Sequence, residues 1–478
     1  MAVDERDEPR AQSRREFLRL VGVGSGLTVL GTAPRLFAPT PSLAQCSPPG
    51  SPGTPRPWRY DCRSILPRRP ASTLTNAEVT KLRDAYKAMR ALTTSDPSDP
   101  RGFQHQANVH CWYCGEGTQI HFSWQFFVWH RAYLYFHERI LGRLVGDMNL
   151  RLPYWSWENT SHRHLPPAYA TPADASNPLW NGTRAMSATD SLPDEDVGHD
   201  VMEAALTAGT FGEFGGTATD NGIPEMAPHG SVHVDVGGSG DMGAFSTAAR
   251  DPVFFAHHAN IDKMWSDWNK SSSAHANPTT SDFLNLSWNF YDENKVWRSI
   301  TAAQVLNHEN QLRYKYGPSL LVENLPCLIE WLPIPTDWRA SLRPSPKIAP
   351  SSKAARLLAQ GNRIRLHLSD VQVPLEHSAV YRLYATAAAA REDRGTGSPG
   401  YLGTIPVVVS DREGRHAHSP TRDVTVTISR QKLDLLAKQE GSTGLSLVER
   451  RRGGAAKAVL PVRARDVQFS VADREPEQ

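Results

Sequence analysis

Histidines at helical spacing are the residues of this chain best suited to metal chemistry. His229 and His233 are four residues apart, which places both imidazoles on one face of a helix. Two adjacent histidines, His257 and His258, lie in a later aromatic stretch, and Asp262 follows His258 by one helical turn. A single histidine among aromatic residues is more often a satisfied core residue. Several histidines carried by two helices instead predict a site for copper, zinc, iron or nickel, not for magnesium or calcium.

A second group of histidines precedes and enters an aromatic-rich stretch. His121 and His130 are nine residues apart, so on one ideal helix they would face opposite ways. Both can reach one metal only if His121 lies before the helix. We therefore expect His130 inside a helix, with His110 and His121 on the flanking backbone. His137, two turns after His130, is an alternative ligand, and Arg131 is expected either to form a charged hydrogen bond near the site or to be solvated.

Periodicity indicates the elements that must carry these side chains. Residues 76 to 93 predict a helix with Thr75 as its N-cap, and the helix that contains His130 is expected to continue through Leu141. After residue 350 the pattern changes to strict alternation, which predicts short strands of an antiparallel β-sandwich. The strand candidates are 363–368, 380–384, 404–409, 424–428 and 467–471.

These patterns predict a fold class and domain boundaries. A mainly α domain, a helix bundle around the metal site, is expected over residues 45–335. A linker rich in proline and serine follows at 336–350. An all-β sandwich domain is expected over 351–478.

Composition and charge restrict the possible partners. The chain has 478 residues, of which 39% are hydrophobic and 21% charged, as in a globular protein with two or three domains. The net charge is only +2, so nothing suggests nucleic acid or an anionic membrane as a partner. The sequence indicates no particular oligomeric state.

The N-terminal residues 1–44 are predicted to be an export signal. Ser13 to Leu20 resembles the twin-arginine consensus, the apolar stretch 20–30 is too short to span a bilayer, and residues 42–44 form a small-residue cleavage site. A disordered basic tail is the alternative interpretation. The signal would imply the twin-arginine export machinery as a partner, a bacterial source, and a periplasmic or extracellular destination that permits disulfides.

Five cysteines occur in the chain, at positions 46, 62, 111, 114 and 327. An odd number in an exported protein leaves one cysteine for other chemistry. Disulfides Cys46–Cys62 and Cys62–Cys111 are both compatible with an irregular N-terminal arm, and the sequence does not choose between them.

The ordered motifs together resemble the type-3 copper proteins, and most closely the plant-type polyphenol oxidases, which include catechol oxidase and tyrosinase. The motifs are His110-Cys-x-x-Cys114, His121-x8-His130 followed by Arg-x-Tyr-Leu-x-Phe, His229-x3-His233, and Asp251-Pro-x-Phe-x-x-His257-His258-x-Asn-x-Asp262. The resemblance implies two copper ions. The first would be bound by His110, His121 and His130, and the second by His229, His233 and His258.

The resemblance also implies roles around the copper ions. His257 and Asp262 would support the ligands from behind, with the Asp262 carboxylate setting the tautomer of an imidazole. Cys114 matches a cysteine that forms a thioether with the second histidine of the first site, here His121, although a disulfide is the alternative.

Two further residues match family positions near the substrate. Glu225 matches a glutamate that holds a water near the coppers and receives a phenolic proton, although a carboxylate favoured by a helix N-terminus is the simpler interpretation. Phe245 matches an aromatic gate above the second copper, although it fits a core residue as well.

The implied activity is oxidation of small o-diphenols to o-quinones, with dioxygen reduced to water. In the family, asparagine directly after the first ligand of the second site is associated with monophenol hydroxylation. Gly230 occupies that position here, and Val234 follows the other histidine, so we expect weak or no monophenol hydroxylation. The alternatives are a tyrosinase with full monophenolase activity, a haemocyanin-like oxygen carrier and a zinc hydrolase. The C-terminal domain resembles, more weakly, the shielding domain of latent plant enzymes.

Overall fold

A computed structural model of the chain provides the architecture. The predicted signal 1–44, the linker 336–350 and two cysteines, Cys62 and Cys327, lie outside the residues that it describes. Among the helices of the described residues, none combines the length and the apolar character needed to cross a membrane. The described residues are 46, 50, 53–59, 64–116, 119–316, 328–332, 364–373, 377–409, 421–428, 432, 445–450, 459–462 and 466–473.

The N-terminal domain is built from helices. They are α1 (Asn76–Ser95), α2 (Phe103–Cys111), α3 (Gln125–Leu144), α4 (Pro167–Ala170), α5 (Asp194–Val197), α6 (His199–Leu206), α7 (Phe211–Gly215), α8 (Ser231–Gly237), α9 (Val253–Ser271) and α10 (Ser281–Leu284). The predicted helix over 76–93 corresponds to α1, and Thr75 is its N-cap as expected. There the Thr75 side chain accepts the Glu78 N–H, and the Glu78 carboxylate accepts the Thr75 N–H.

Helices α3 and α9 pack against each other in the centre of this domain. Nearly every residue of both helices is buried, including Trp129 in α3 and Trp265 in α9. Helices buried all round form a rigid support for side chains that project between them. The histidines of both groups lie on these two helices or on segments that pack against them.

Strands complete the fold. They are β1 (Arg56–Pro57), β2 (Leu66–Pro67), β3 (Ser287–Tyr291), β4 (Trp297–Thr301), β5 (Tyr314–Lys315), β6 (Leu328–Leu332), β7 (Ile364–Gln372), β8 (Ala379–Tyr384), β9 (Tyr401–Val407), β10 (Thr421–Ile428), β11 (Ser446–Arg450), β12 (Leu460–Pro461) and β13 (Asp466–Asp473); one further short helix, α11 (Ala387–Glu392), follows β8. The N-terminal arm joins the helical domain through β1, which pairs with β4, and β2, which pairs with β5.

Two four-stranded sheets form the C-terminal domain. Their strand orders are β10-β7-β13-β6 and β12-β11-β8-β9, and the pairs within them are antiparallel. Apolar residues of both sheets, such as Leu366, Leu383 and Ile405, form one buried core. The predicted fold class, a helical domain followed by a β-sandwich, is therefore confirmed.

The boundary between the domains differs from the prediction. Strand β6 (Leu328–Leu332), expected in the helical domain, pairs with β13 at the far end of the chain. The C-terminal sheet thus begins before residue 335. Sequence alternation could not show this, because the partner strand of β6 is more than a hundred residues away.

The two domains pack directly on each other. Strand β9 and the residues after it contact the turn at 225–230 and helix α8, and Val408 belongs to the core of the helical domain. The contact therefore lies on the segments that carry the second histidine group.

Candidate active site

The first histidine group is placed by two helices and a loop. His110 lies in the last turn of α2, His130 lies in the second turn of α3, and His121 lies in the irregular segment between them. The prediction of a loop position is therefore correct for His121 and wrong for His110. Residues 103–111 form a short helix without clear helical periodicity in the sequence.

The second group comes from one interrupted helix and from α9. His229 lies in a wide turn over 225–230, His233 lies in the following α8, and His258 lies in α9. The backbone of Ala227 is extended and interrupts the turn just before His229. The four-residue spacing of His229 and His233 still brings their rings together, with centroids 4.6 Å apart.

The two groups face each other across a buried space. The rings of His130 and His258 stack with their centroids 4.2 Å apart, and the rings of His121 and His229 lie 6.0 Å apart. His110 lies 6.4 Å from His258. All six histidines that the resemblance implied as ligands are at most 3% exposed.

Backbone carbonyls fix the tautomers of four of these rings. A carbonyl oxygen can only accept a hydrogen bond, so each ring must carry its proton on Nδ1 and present the Nε2 lone pair. The four bonds run from Nδ1 of His110 to Phe245 O (2.9 Å), of His130 to Phe126 O (2.8 Å), of His229 to Glu225 O (2.8 Å) and of His233 to Met242 O (2.8 Å).

The remaining nitrogens fit metal binding. Within the described residues, Nε2 of His110, His130 and His229 is buried and has no hydrogen-bond partner. Nε2 of His233 and Nε2 of His258 lie 3.1 Å apart. Buried nitrogens without partners are unfavourable unless they bind something, and a metal ion satisfies imidazole lone pairs of this kind.

Burial also keeps the imidazoles neutral, as metal ligation requires. It lowers the pKa of His130 to about 3 and that of His233 to about 4. Burial lowers the pKa values of His110, His229 and His258 well below the ordinary value as well. The donor set therefore fits two transition-metal ions held by neutral nitrogen ligands.

Two other buried histidines differ from this set. His257 lies beside His229 and His233, and its Nδ1 accepts the Trp157 Nε1–H at 3.2 Å. This bond orients the ring, and the supporting role that the resemblance implied for His257 stays a prediction. His137, the alternative ligand, stacks on Phe255 at 3.5 Å and pairs with a tyrosine hydroxyl instead.

Asp262 does not act as predicted. Its Oδ1 accepts from Arg131 Nε at 2.5 Å, and its Oδ2 accepts from the hydroxyls of Tyr314 and Tyr316 and from Arg68. The carboxylate therefore holds two buried arginines, while the backbone carbonyls described above set the imidazole tautomers. Of the two predictions for Arg131, the charged hydrogen bond is correct and the solvated side chain is wrong.

Glu225 is buried at the start of the turn that carries His229. The residue is 3% exposed, and its Oε1 accepts the Phe122 N–H at 2.5 Å. Phe122 has a positive φ of 61°, a conformation that is strained for a phenylalanine and that concentrates at functional sites. The hydrogen bond from Phe122 to Glu225 joins the loop of His121 to the turn of His229. No sequence signal predicted this backbone conformation.

Phe245 borders the first group. Its ring lies 4.3 Å from the ring of His121, whereas the resemblance implied a place above the second copper. The ring is 3% exposed and also meets Phe122 edge-on at 6.0 Å. It thus packs directly against the loop that carries His121.

The cysteines near the site differ from both expected pairings. Cys46 forms a disulfide with Cys111, which excludes the predicted Cys46–Cys62 and Cys62–Cys111 bonds. This bond ties the N-terminal arm to α2 directly after His110. Cys114 is a buried thiol, and its sulfur lies within 4.8 Å of ring nitrogens of His110 and His121. A disulfide of Cys114 with Cys111, the alternative to a thioether, is thereby excluded.

Comparison with known proteins agrees with this geometry. The family model described as the common central domain of tyrosinase matches residues 100–191 and 173–271, and the polyphenol oxidase middle domain matches 277–324. The crystal structure of Grenache (Vitis vinifera) polyphenol oxidase is 31% identical, covers 61% of this chain and 96% of its own, and superposes with a TM-score of 0.52. The chain belongs to the polyphenol oxidase and tyrosinase family.

Other members are similar over different parts of the chain. The latent form of polyphenol oxidase from Prunus armeniaca is 33% identical over 361 residues, which are 63% of this chain and 60% of that protein. The chain thus spans less than two thirds of this curated relative. The structure of a latent aurone synthase covers 90% of this chain and 94% of its own with a TM-score of 0.66 at 24% identity, which shows that both domains share its fold. The family is one of copper oxidoreductases, which agrees with the predicted enzyme class and cofactor.

Proposed function

We propose that this chain is a binuclear copper oxidase that converts o-diphenols to o-quinones. Each diphenol loses two electrons and two protons, and two diphenols reduce one dioxygen to two waters. The observation that carries the proposal is the meeting of six buried imidazoles, four of which have Nδ1 committed to carbonyls. We propose His110, His121 and His130 as ligands of one copper, and His229, His233 and His258 as ligands of the other.

The residues around this donor set would perform separate tasks. Copper, when bound, would supply the binding of dioxygen and the acceptance of electrons from the substrate. Glu225, whose Oε1 accepts the Phe122 N–H, would take a phenolic proton. Phe245, buried against His121 and Phe122, would help to exclude water from the site.

Monophenol hydroxylation is expected to be weak. The first step with a monophenol is loss of its proton, and a polar side chain at position 230 or 234 would assist that step. Gly230 and Val234 offer no such group. A Cβ at position 230 would also lie only 3.0 Å from Cγ of Pro406, so the C-terminal domain restricts what this position can carry.

The decisive experiment measures copper content together with turnover. We expect two coppers per chain, copper-dependent oxidation of catechol, and a much lower rate with tyrosine, before and after limited proteolysis between the domains. Equal rates with tyrosine and catechol would show a full tyrosinase. Reversible oxygen binding without turnover in either form would show an oxygen carrier, and full activity with zinc alone would show a hydrolase; either result overturns the proposal.

We also propose a thioether between Cys114 and His121. It is supported by the short distance between the Cys114 sulfur and the His121 ring, and by the loop position of His121, which no helix holds. The mass of the copper-loaded chain should be lower by two hydrogen atoms than the mass calculated from its sequence with the disulfide included. A Cys114→Ser variant should lack this mass difference. An unmodified Cys114 that reacts fully with a thiol reagent after unfolding would refute the bond.

The C-terminal sandwich, we further propose, restrains the enzyme by covering the site. The support is its contact with the site itself, through Pro406 on Gly230, and a charged cluster at the domain boundary. Arg450 of β11 donates to Glu195 at 2.8 Å, to Asp235 at 2.5 Å and to Asp196. Burial alone would raise the pKa of Glu195, but Arg450 and Arg382 hold it below its ordinary value. The stability that these ion pairs contribute is thus present at pH values above the ordinary pKa range of a carboxyl group. It is lost as the pH falls below that range.

Replacing Arg450 by alanine should activate the uncleaved chain. The change leaves three carboxylates of the helical domain without this partner, and breaking such a buried cluster typically costs about 3–5 kcal/mol. Because each ~1.4 kcal/mol is tenfold in an equilibrium, we expect catechol turnover to rise at least about tenfold. Arg394→Ala, which removes an exposed arginine of the same domain, is the control and should have no effect. If proteolysis and Arg450→Ala both leave turnover unchanged, the domain does not restrain the site.

A further inference from the structure

One four-residue segment lies between the C-terminal domain and the histidines. We call residues 242–245 the coupling segment. On one side, Met242 O accepts from His233 Nδ1 at 2.8 Å, and Phe245 O accepts from His110 Nδ1 at 2.9 Å. These histidines belong to different groups, so the segment orients one ring of each.

The other side of the coupling segment is bonded to the C-terminal domain. The Phe245 N–H donates to Val409 O at 3.1 Å, and Ala244 pairs with Val409 in a parallel bridge. The Ser378 hydroxyl donates to Gly243 O and accepts the Val409 N–H at 2.9 Å. Ser378 thus bonds both to the coupling segment and to Val409, the residue that pairs with this segment.

The coupling segment has little freedom to absorb a shift. A Cβ at Gly237, the last residue of α8, would lie 1.9 Å from Gly243 N, and a Cβ at Gly243 would lie 1.9 Å from Gly238 O. The backbones are therefore in direct contact, without side chains that could rearrange between them. A displacement of the segment moves both carbonyls, and with them the rings of His110 and His233.

We propose that the C-terminal domain positions metal ligands through the coupling segment, with Ser378 as the positioning residue. The inference rests on the ligand assignment proposed above. Positioning of the ligands differs from covering of the site, because a domain that only covers the site changes only the access of the substrate. Positioning changes the metal site itself, since partners that orient ligand imidazoles typically contribute about 10- to 100-fold in metal affinity.

Ser378→Ala in the full copper-loaded chain tests the proposal. The variant loses both hydroxyl hydrogen bonds but keeps the strand pairing. We expect copper to be lost to EDTA about three- to tenfold faster than from the unaltered chain, a smaller effect than loss of a direct imidazole partner. Partial copper loss should also produce the electron paramagnetic resonance signal of isolated Cu(II), which a coupled pair lacks.

Two controls separate positioning from general loosening. Ser378→Thr keeps the hydroxyl and should retain copper like the unaltered chain. Thr404→Val removes an interdomain hydrogen bond to Glu195 O, at 3.3 Å, away from the coupling segment, and should also retain copper. Both variants are assayed for catechol turnover before cleavage, because simple opening would raise turnover and copper loss together.

The outcomes are distinct. Faster copper loss in Ser378→Ala alone, without a matching rise in turnover, supports positioning. Equal loss from Ser378→Ala and the unaltered chain overturns it, as does equally fast loss from Thr404→Val or a parallel rise in turnover. The proposed function is judged separately, by copper content and catechol oxidation of the unaltered chain.

Discussion

Replacing His258 by alanine should lower catechol turnover at least about a hundredfold and reduce copper towards one ion per chain. The residue is buried in the second turn of α9, and its ring stacks on that of His130 of the opposite group, with the ring centroids 4.2 Å apart. Removing a direct ligand should exceed the 10- to 100-fold loss that follows from removing its supporting partners. Copper analysis and steady-state oxidation of catechol measure both effects.

His137→Ala is the matched control for that change. His137 is also a fully buried histidine on a central helix, but it stacks on Phe255 and bonds to Tyr86. We expect its removal to lower the free energy of unfolding, by about 2–5 kcal/mol as for other large buried side chains, while copper content stays at two per chain. Retention of two coppers and of full turnover by His258→Ala would contradict the ligand assignment.

Local spacing predicted much of the site. The pairs that share one helix or one interrupted helix, such as His229 and His233, were placed by periodicity alone. The nine-residue interval between His121 and His130 correctly required a loop position for His121. Such signals depend only on backbone geometry within a few turns, which the sequence specifies directly.

Long-range partners could not be predicted in the same way. The Cys46–Cys111 bond joins residues 65 apart, and β6 finds its partner strand near the end of the chain. The groups that set the imidazole tautomers are backbone carbonyls, which carry no side-chain identity. The hydrogen bonds of the Met242 carbonyl and the Phe122 N–H therefore could not be predicted from the amino-acid sequence.

Asp262 is the clearest case of a predicted role that the structure contradicts. Its position one turn after His258 suggested a bond to an imidazole, yet its partners come from the N-terminal arm and from β5. Arg68 and Arg131 are both at most 1% exposed, and the guanidinium of Arg131 also lies 3.5 Å from the centre of the Trp265 ring. The carboxylate thus joins the arm, α3 and α9 behind the copper ligands.

We therefore expect Asp262→Asn to destabilise the protein by about 3–5 kcal/mol. The amide leaves the buried Arg131 guanidinium without its carboxylate partner and leaves Arg68 with Glu138 alone, and breaking a buried ion pair on one side has this typical effect. Urea unfolding of the copper-loaded chain measures the change. Asp147→Asn is the control, because the Lys81–Asp147 pair is largely exposed and such pairs contribute only about 0–1 kcal/mol.

The pH dependence of stability provides an independent check of the same carboxylate. Burial alone would raise the pKa of Asp262, but Arg131 and Arg68 lower it to about 2. Because the folded-state pKa lies below the unfolded value of about 3.9, the stabilisation is fully present above pH ~4 and is lost as pH falls towards ~2. The loss across this window should be roughly 2–3 kcal/mol, at about 1.4 kcal/mol per pKa unit, and Asp262→Asn should abolish it. A variant that unfolds with the same acid dependence as the unaltered chain would show that Asp262 does not balance the two arginines.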